Sequence, residues 1–148
     1  MFEYFLVFIG AAIPMVEIAL AIPLGIINGL SPVWVILTAF IGNMLTVLVV
    51  IIGFQRVKEW MESRNRKKGK AESKRTERGK RIWNKYGMPG VALLGPIVIG
   101  THIAAFIGLL FGANKTNATV WMTISIALWS LVFGIATALG FDFFNRSF

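Results

Sequence analysis

Residues 31–54 read SPVWVILTAFIGNMLTVLVVIIGF, twenty-four positions without a charged side chain. Ser31 can cap the free N–H groups at a helix start, and Pro32 suits the first helical position, where its missing N–H costs nothing. No proline follows, and about 20 apolar residues are enough to cross a bilayer. The stretch predicts a transmembrane helix over 32–54. Val57, Trp60 and Met61 keep helical spacing beyond it, so the helix is expected to run out into water.

The stretch belongs to a larger apolar block. Between positions 4 and 54 the sole charged residue is Glu17, and between 86 and 141 it is Lys115, accompanied by the chain's one histidine, His102. A soluble core would set a polar face against each buried one; these blocks have almost none. The expected class is therefore an all-α integral membrane protein. The Met1-Phe2-Glu3 start has no basic region, which argues against a cleaved signal peptide. Cysteine is absent, so disulfides, thiolate metal sites and a cysteine nucleophile are excluded. No zinc motif, phosphate loop or Ser/His/Asp arrangement is present, and an enzyme, a metal centre or a bound cofactor is not expected.

The chain has 148 residues, 56% hydrophobic and 15% charged, yet a net charge of +8. Position reconciles these values. Thirteen of the 15 basic residues and four acids (Glu59, Glu62, Glu72 and Glu77) fall within 56–85, giving that segment +9 and leaving −1 for the rest. Within 62–81 the one apolar residue is Ala71, and Gly69 and Gly79 weaken a continuous helix. Such a segment is expected to pack into nothing. The positive-inside rule makes it a cytoplasmic loop of the cell membrane. Arg66, Lys67, Lys68 and Lys70 are candidates for fixing topology and meeting anionic lipid headgroups. No folded domain accompanies the charge, so nucleic acid is not an expected partner. The strong bias also disfavours insertion in both orientations.

A second clean span is expected over 118–141, with Asn117 as a possible cap. The segments before the two spans differ from them. Residues 5–29 contain Pro14, Pro23, Gly25 and Gly29, and 88–112 contain Pro89, Gly90, Gly95, Pro96, Gly100 and Gly108. Proline inside a helix frees a carbonyl and costs ~3 kcal/mol, and in hydrocarbon the freed group needs a partner. These segments are expected to be broken helices. If both are re-entrant, each half crosses the membrane once and the halves are inverted; if both span, the chain crosses four times. The inverted version is favoured, since paired Gly/Pro-interrupted segments at matching positions mark transporter sites. The organisation expected is a first membrane repeat over 1–55, a basic loop over 56–85 and a second repeat over 86–148.

Inside the blocks, Glu17 is the most informative residue. A carboxylate at mid-membrane costs about 2.5–3.5 kcal/mol, so it must be protonated, bonded to the N–H groups of a broken helix, or reached by water and a cation. Each state serves a proton- or ion-coupled site. His102 follows Gly100-Thr101 in the matching broken segment, where Thr101 could cap a half-helix whose N–H groups suit an anion. Asn28 and Asn43 are amides in apolar surroundings, which interhelical hydrogen bonds or a site could explain. The candidate site set is Glu17, Pro23, Gly25, Asn43, Pro96, Gly100, Thr101 and His102. Trp34, Trp83, Trp121, Tyr86 and Phe2 read as interface anchors. The Asn-x-Ser/Thr matches at Asn114, Asn117 and Asn145 are discounted.

The run Glu17-Ile18-Ala19-Leu20-Ala21-Ile22-Pro23-Leu24-Gly25-Ile26, with Gly29 and Gly42-Asn43 after it, resembles the family of small multidrug export proteins. That family's first half carries a pattern close to Glu-Leu-Arg-Gly-Ala-Ile-Pro-Leu-Gly. Lys85-Tyr86-Gly87 resembles the start of its second half, and 96–102 its Pro-x-x-Gly-Thr-Gly stretch. Ala19 replaces the family's arginine, removing a partner for Glu17, and His102 replaces the last glycine. The layout is distantly similar to DedA-like membrane proteins, although the arginines of their second motif are not found around Pro96. The resemblance implies a small transporter moving an amphipathic or lipid-like substrate, and Glu17 adds the expectation that it is coupled to protons or ions. With about 110 membrane residues a homodimer is expected. The alternative is a non-transporting scaffold whose basic loop binds lipid or partners.

Overall fold

The structure, a computed structural model, describes residues 1–56, 58–60, 63 and 74–146, with the backbone alone over 74–76 and 141–146. The described residues form helices and no strand. They are α1 (Phe2–Ala12), α2 (Glu17–Ile27), α3 (Pro32–Ile52), α4 (Lys74–Val98), α5 (Thr101–Leu110) and α6 (Lys115–Arg146).

Among the described residues, only α3 and α6 are long and apolar enough to cross a membrane, over Pro32–Ile52 and Lys115–Gly140. Both leave rows of large apolar side chains uncovered. On α3 these are Val33, Leu37, Ile41, Leu45, Val49 and Ile52, and on α6 Val120, Ile124, Leu128, Leu131, Ile135 and Leu139. Stripes of this length on a helix that is two-thirds unburied fit a hydrocarbon solvent and not water. The opposite face of each helix buries a four-residue repeat. On α3 it is Val35, Ala39, Asn43, Val47 and Ile51; on α6 it is Ala118, Met122, Ile126, Ser130 and Gly134. Every member of the second row lies 83 positions after its counterpart in the first.

The interrupted segments are pairs of short helices. In the first, the break falls at 13–16, around Pro14. Pro23 sits inside α2 without ending it: in so short a helix it removes one N–H, the one that would face Ala19, and the chain keeps its course. In the second, α4 is two helical pieces. Gly87 stands at φ 64°, ψ −155°, a conformation open in practice to glycine alone, and separates 74–86 from 88–98. Pro89 follows near the start of the second piece, where a missing N–H is harmless. That piece ends at Val98, and α5 begins at Thr101.

The chain divides into two compact units, Met1–Thr46 with Thr123–Phe148, and Val47–Met122. In the first, α1 packs on α2. A Cβ at Gly42 would collide with the Phe8 carbonyl, so this glycine lets α1 and α3 approach backbone to side. Gly134 likewise leaves room for the Ile36 side chain, and Thr123 Oγ1 donates to Met44 Sδ over 3.6 Å. Pairing Ile36 with Gly134 and Met44 with Thr123 makes α3 and α6 antiparallel within this unit.

In the second unit, 88–98 packs on α5, with Gly95 against Ala104 and Gly108 against Met88. Phe54 and Phe106 rings meet at 5.3 Å. Lys115 Nζ donates to the Ile52 carbonyl at 3.1 Å, placing a cation on the last turn of α3, where the helix dipole favours it.

Several sequence expectations change. The helix 74–86 lies inside the segment expected to be an unpacked loop, and it is packed: Gly79 is buried against Ile107, and Trp83 meets Phe111 at 6.0 Å. Counting apolar residues over 62–81 hid the pattern that continues as Ile82, Trp83 and Tyr86. The cap of α6 is Asn114, whose Oδ1 accepts the Asn117 N–H at 2.7 Å, so Asn117 receives the bond expected of it as cap. Arg66, Lys67, Lys68 and Lys70 lie outside the described residues, as do Val57 and Met61.

Candidate functional site

Three of the buried polar residues, Glu17, Thr101 and His102, lie where the second short helix of a pair begins. In the first pair, the turn after α1 is closed by the Ile13 carbonyl, which accepts the Val16 N–H at 3.1 Å and the Glu17 N–H at 3.0 Å. Glu17 then opens α2 with a φ of 50°, the one non-glycine residue at positive φ among the described residues. It is 6% exposed. A carboxylate held in the first turn of a helix meets the positive end of the helix dipole, which offsets part of its burial.

In the second pair the corresponding residue is Gly100, at φ 97°, and it occupies the cap of α5 with no side-chain capping bond. Thr101 is therefore the first helical residue and not the cap. Its Oγ1 lies 3.2 Å from His102 Nδ1, and both residues are buried. Pro96 is buried in the last turn before this break.

The two pairs also end alike. After α2, Gly29 takes φ 84° and the Leu30 N–H donates to the Gly25 carbonyl at 3.2 Å. After α5, Gly112 takes φ 114° and the Ala113 N–H donates to the Gly108 carbonyl at 3.0 Å. Both are glycine-terminated helix ends of the same kind, and again the offset is 83 residues. Gly25 has a packing duty as well, since a Cβ there would press on Val7 and Val35 at 3.0 Å.

Of the eight site candidates, Glu17, Pro23, Gly25 and Asn43 fall in the first unit and Pro96, Gly100, Thr101 and His102 in the second. Asn43 is fully buried on α3. Pro23 and Gly25 lie within α2 and do not mark a half-helix end; Glu17 does. Asn28 is exposed and donates from Nδ2 to the Leu24 carbonyl at 2.7 Å, a helix-end bond.

Three polar residues escaped the sequence reading. Ser125 and Ser130 are buried on α6 in the first unit; the signal for Ser130 was the four-residue repeat from Ala118, and Ser125 lies outside it. Glu3 lines a cleft of about 410 Å³ between α1 and α2, walled by Leu6, Val7 and Leu24 with Asn28 beside it. Glu17 is not among that cleft's lining residues, although its neighbour Val16 is.

Comparisons with curated proteins and with solved structures gave no match. A family model does match, and it begins at Glu17: residues 17–132 fit the family described as Putative small multi-drug export protein. With that match over most of its length and two helices able to span a bilayer, the chain is a membrane protein and belongs to this family.

Proposed function

We propose that this protein is a small transporter of the cell membrane, coupled to protons or ions, with Glu17 as the responsive group and an amphipathic or lipid-like molecule as substrate. The observation that carries this reading is Glu17 itself: a carboxyl group 6% exposed, in a block with no other charge, opening a short helix from a left-handed backbone. Burial is expensive for such a group, and strained backbone concentrates where function holds it. An acidic residue at this place favours an amphipathic cation. Thr101 and His102 are its counterparts in the other half. A second copy of the chain enlarges a pathway that ~110 membrane residues barely enclose.

The two halves are read as inverted repeats, 1–55 and 86–148, joined by a cytoplasmic segment. Four observations support this. The helices α1, α2 and α5 have 11, 11 and 10 residues, about 15–17 Å at 1.5 Å per residue, half of a ~30 Å hydrocarbon core. Positive-φ openings, glycine-terminated ends and buried rows recur at one constant offset. The equivalent helices α3 and α6 run antiparallel in the first unit. Each half then has one helix able to cross, which inverts the second relative to the first.

The decisive experiment is proton-coupled flux in proteoliposomes. Glu17→Gln is expected to abolish it, and flux that survives overturns the mechanism. If deleting 67–78 removes the cellular phenotype while Glu17→Gln leaves it intact, the protein is a scaffold. Topology is tested separately in this cysteine-free chain by single cysteines at Ser31 and Asn114. Labelling from opposite faces is expected; labelling from one face means four spans and no inversion.

A further inference from the structure

We infer that the helix 74–86 is a lipid-binding element that recognises the anionic headgroups of one membrane leaflet. The inference does not depend on transport through Glu17. At 3.6 residues per turn, Gly79, Ile82, Trp83 and Tyr86 fall on one stripe of this helix. The stripe is seated on α5: Gly79 is buried against Ile107 and Trp83 meets Phe111. Tyr86 remains half exposed at its end.

The cations flank the stripe. By the same geometry Arg78 and Lys85 lie along one side of it and Lys80 along the other, with Arg81 at the back; all four are exposed. Lys85 Nζ stands 5.1 Å from the Tyr86 ring centroid. The one acid in this stretch is Glu77, also exposed, leaving a net +3 over 77–86. The apolar stripe is taken up by α5, so what the helix offers a membrane surface is its exposed Lys/Arg row and the half-exposed Tyr86 ring, groups that sit at the headgroup level of a bilayer. Each basic residue near such a surface attracts anionic lipid by about 1 kcal/mol.

A positive-inside role needs only charge, wherever it lies in the segment. Here the charge is carried on a folded helix whose other face is fixed to α5, so the cations have a defined geometry. That geometry fits a row of phosphates, and the chemistry selects phosphatidylglycerol-like lipids over zwitterionic ones.

The test uses the full chain in nanodiscs of phosphatidylcholine and phosphatidylglycerol, with the lipids retained on the released protein counted by native mass spectrometry. The wild type is expected to retain phosphatidylglycerol at least five-fold above its share in the bilayer. The variant R78Q/K80Q/R81Q/K85Q is expected to retain it near its bulk share, and R78K/R81K to keep the wild-type preference. Raising salt from 50 to 500 mM is expected to weaken the preference, through screening. Should the quadruple variant not fold, R78Q/K85Q reads the same effect at smaller size. An unchanged preference in the quadruple variant overturns the inference. So does a preference lost on neutralising Lys67, Lys68 and Lys70 with the helix intact, which assigns the lipid to the preceding segment.

Discussion

Glu17 and Gly100, 83 residues apart, both take a positive φ at the start of the second helix of their pair, Glu17 as the first residue of α2 and Gly100 as the cap of α5. Glycine adopts that backbone freely. An L-residue does so at a cost of roughly 1–2 kcal/mol. One half of the chain therefore uses the residue that stability prefers, and the other carries a carboxyl group there at a cost in strain and in burial.

Substitutions at the two positions are expected to separate stability from activity. Gly100→Ala should lower stability by about 1 kcal/mol or more, because a Cβ enters a left-handed backbone. Glu17→Gly relieves the strain but also gives up the interaction in which Glu17 is engaged, so it is expected to change stability by less than Gly100→Ala, while proton-coupled flux is lost. Thermal unfolding in detergent micelles beside flux in liposomes checks both. If Glu17→Gly destabilises as much as Gly100→Ala, the carboxyl group is a structural bond and the functional reading falls.

How much of this was legible in the sequence depends on the length scale of each signal. The spans α3 and α6 were readable because more than 20 apolar residues without proline leave no other assignment. The existence of two broken segments was readable from their proline and glycine content, but not the places of the breaks. Pro23 drew attention by its motif and sits inside α2, whereas Pro14 lies in the actual turn. A proline breaks a helix only where the lost bond is not covered by its neighbours, and a single chain does not display that. The helix 74–86 was obscured by its charge, since its apolar stripe starts at a glycine. Glu17 stood out in the sequence as the one acid of its apolar block, and the structure buries it; its positive φ was not foreseeable, because nothing about glutamate demands it.

Gly42 makes a second prediction, on packing. Its Cβ position is occupied by the Phe8 carbonyl, a backbone group that cannot rotate away. Gly42→Ala is expected to force α1 from α3 and cost about 1–3 kcal/mol, the usual range for overpacking. Gly140 has nothing near its Cβ position, so Gly140→Ala should gain up to ~1 kcal/mol from helix propensity. Unfolding midpoints of opposite sign are the expected reading. Equal shifts in one direction would mean that α1 is not seated on Gly42.

At the start of α6, the cap is expected to depend on Asn114 and not on Asn117. Only Asn114 offers a side-chain oxygen to a free N–H, that of Asn117 itself. Asn114→Ala should cost about 0.5–2 kcal/mol. Asn117→Ala keeps the N–H that is capped and should change stability by no more than ~0.5 kcal/mol, as exposed substitutions do. Denaturant midpoints of the two variants decide. The reverse ranking would move the helix start to 118, as the sequence alone implied.

The buried serines of α6 permit one more distinction. Ser130 Oγ has no hydrogen-bond partner among the described residues and is 1% exposed, whereas Ser125, fully buried on the same helix, is engaged in an interaction. A buried hydroxyl without a partner costs about 1–3 kcal/mol, and alanine removes it with little change of volume. Ser130→Ala is therefore expected to raise the unfolding midpoint, and Ser125→Ala to lower it. Flux in liposomes should be unaffected by Ser130→Ala if the hydroxyl serves nothing. A loss of flux together with higher stability would instead place Ser130 on the substrate's path, since a group kept at a cost to the fold is then kept for the ligand.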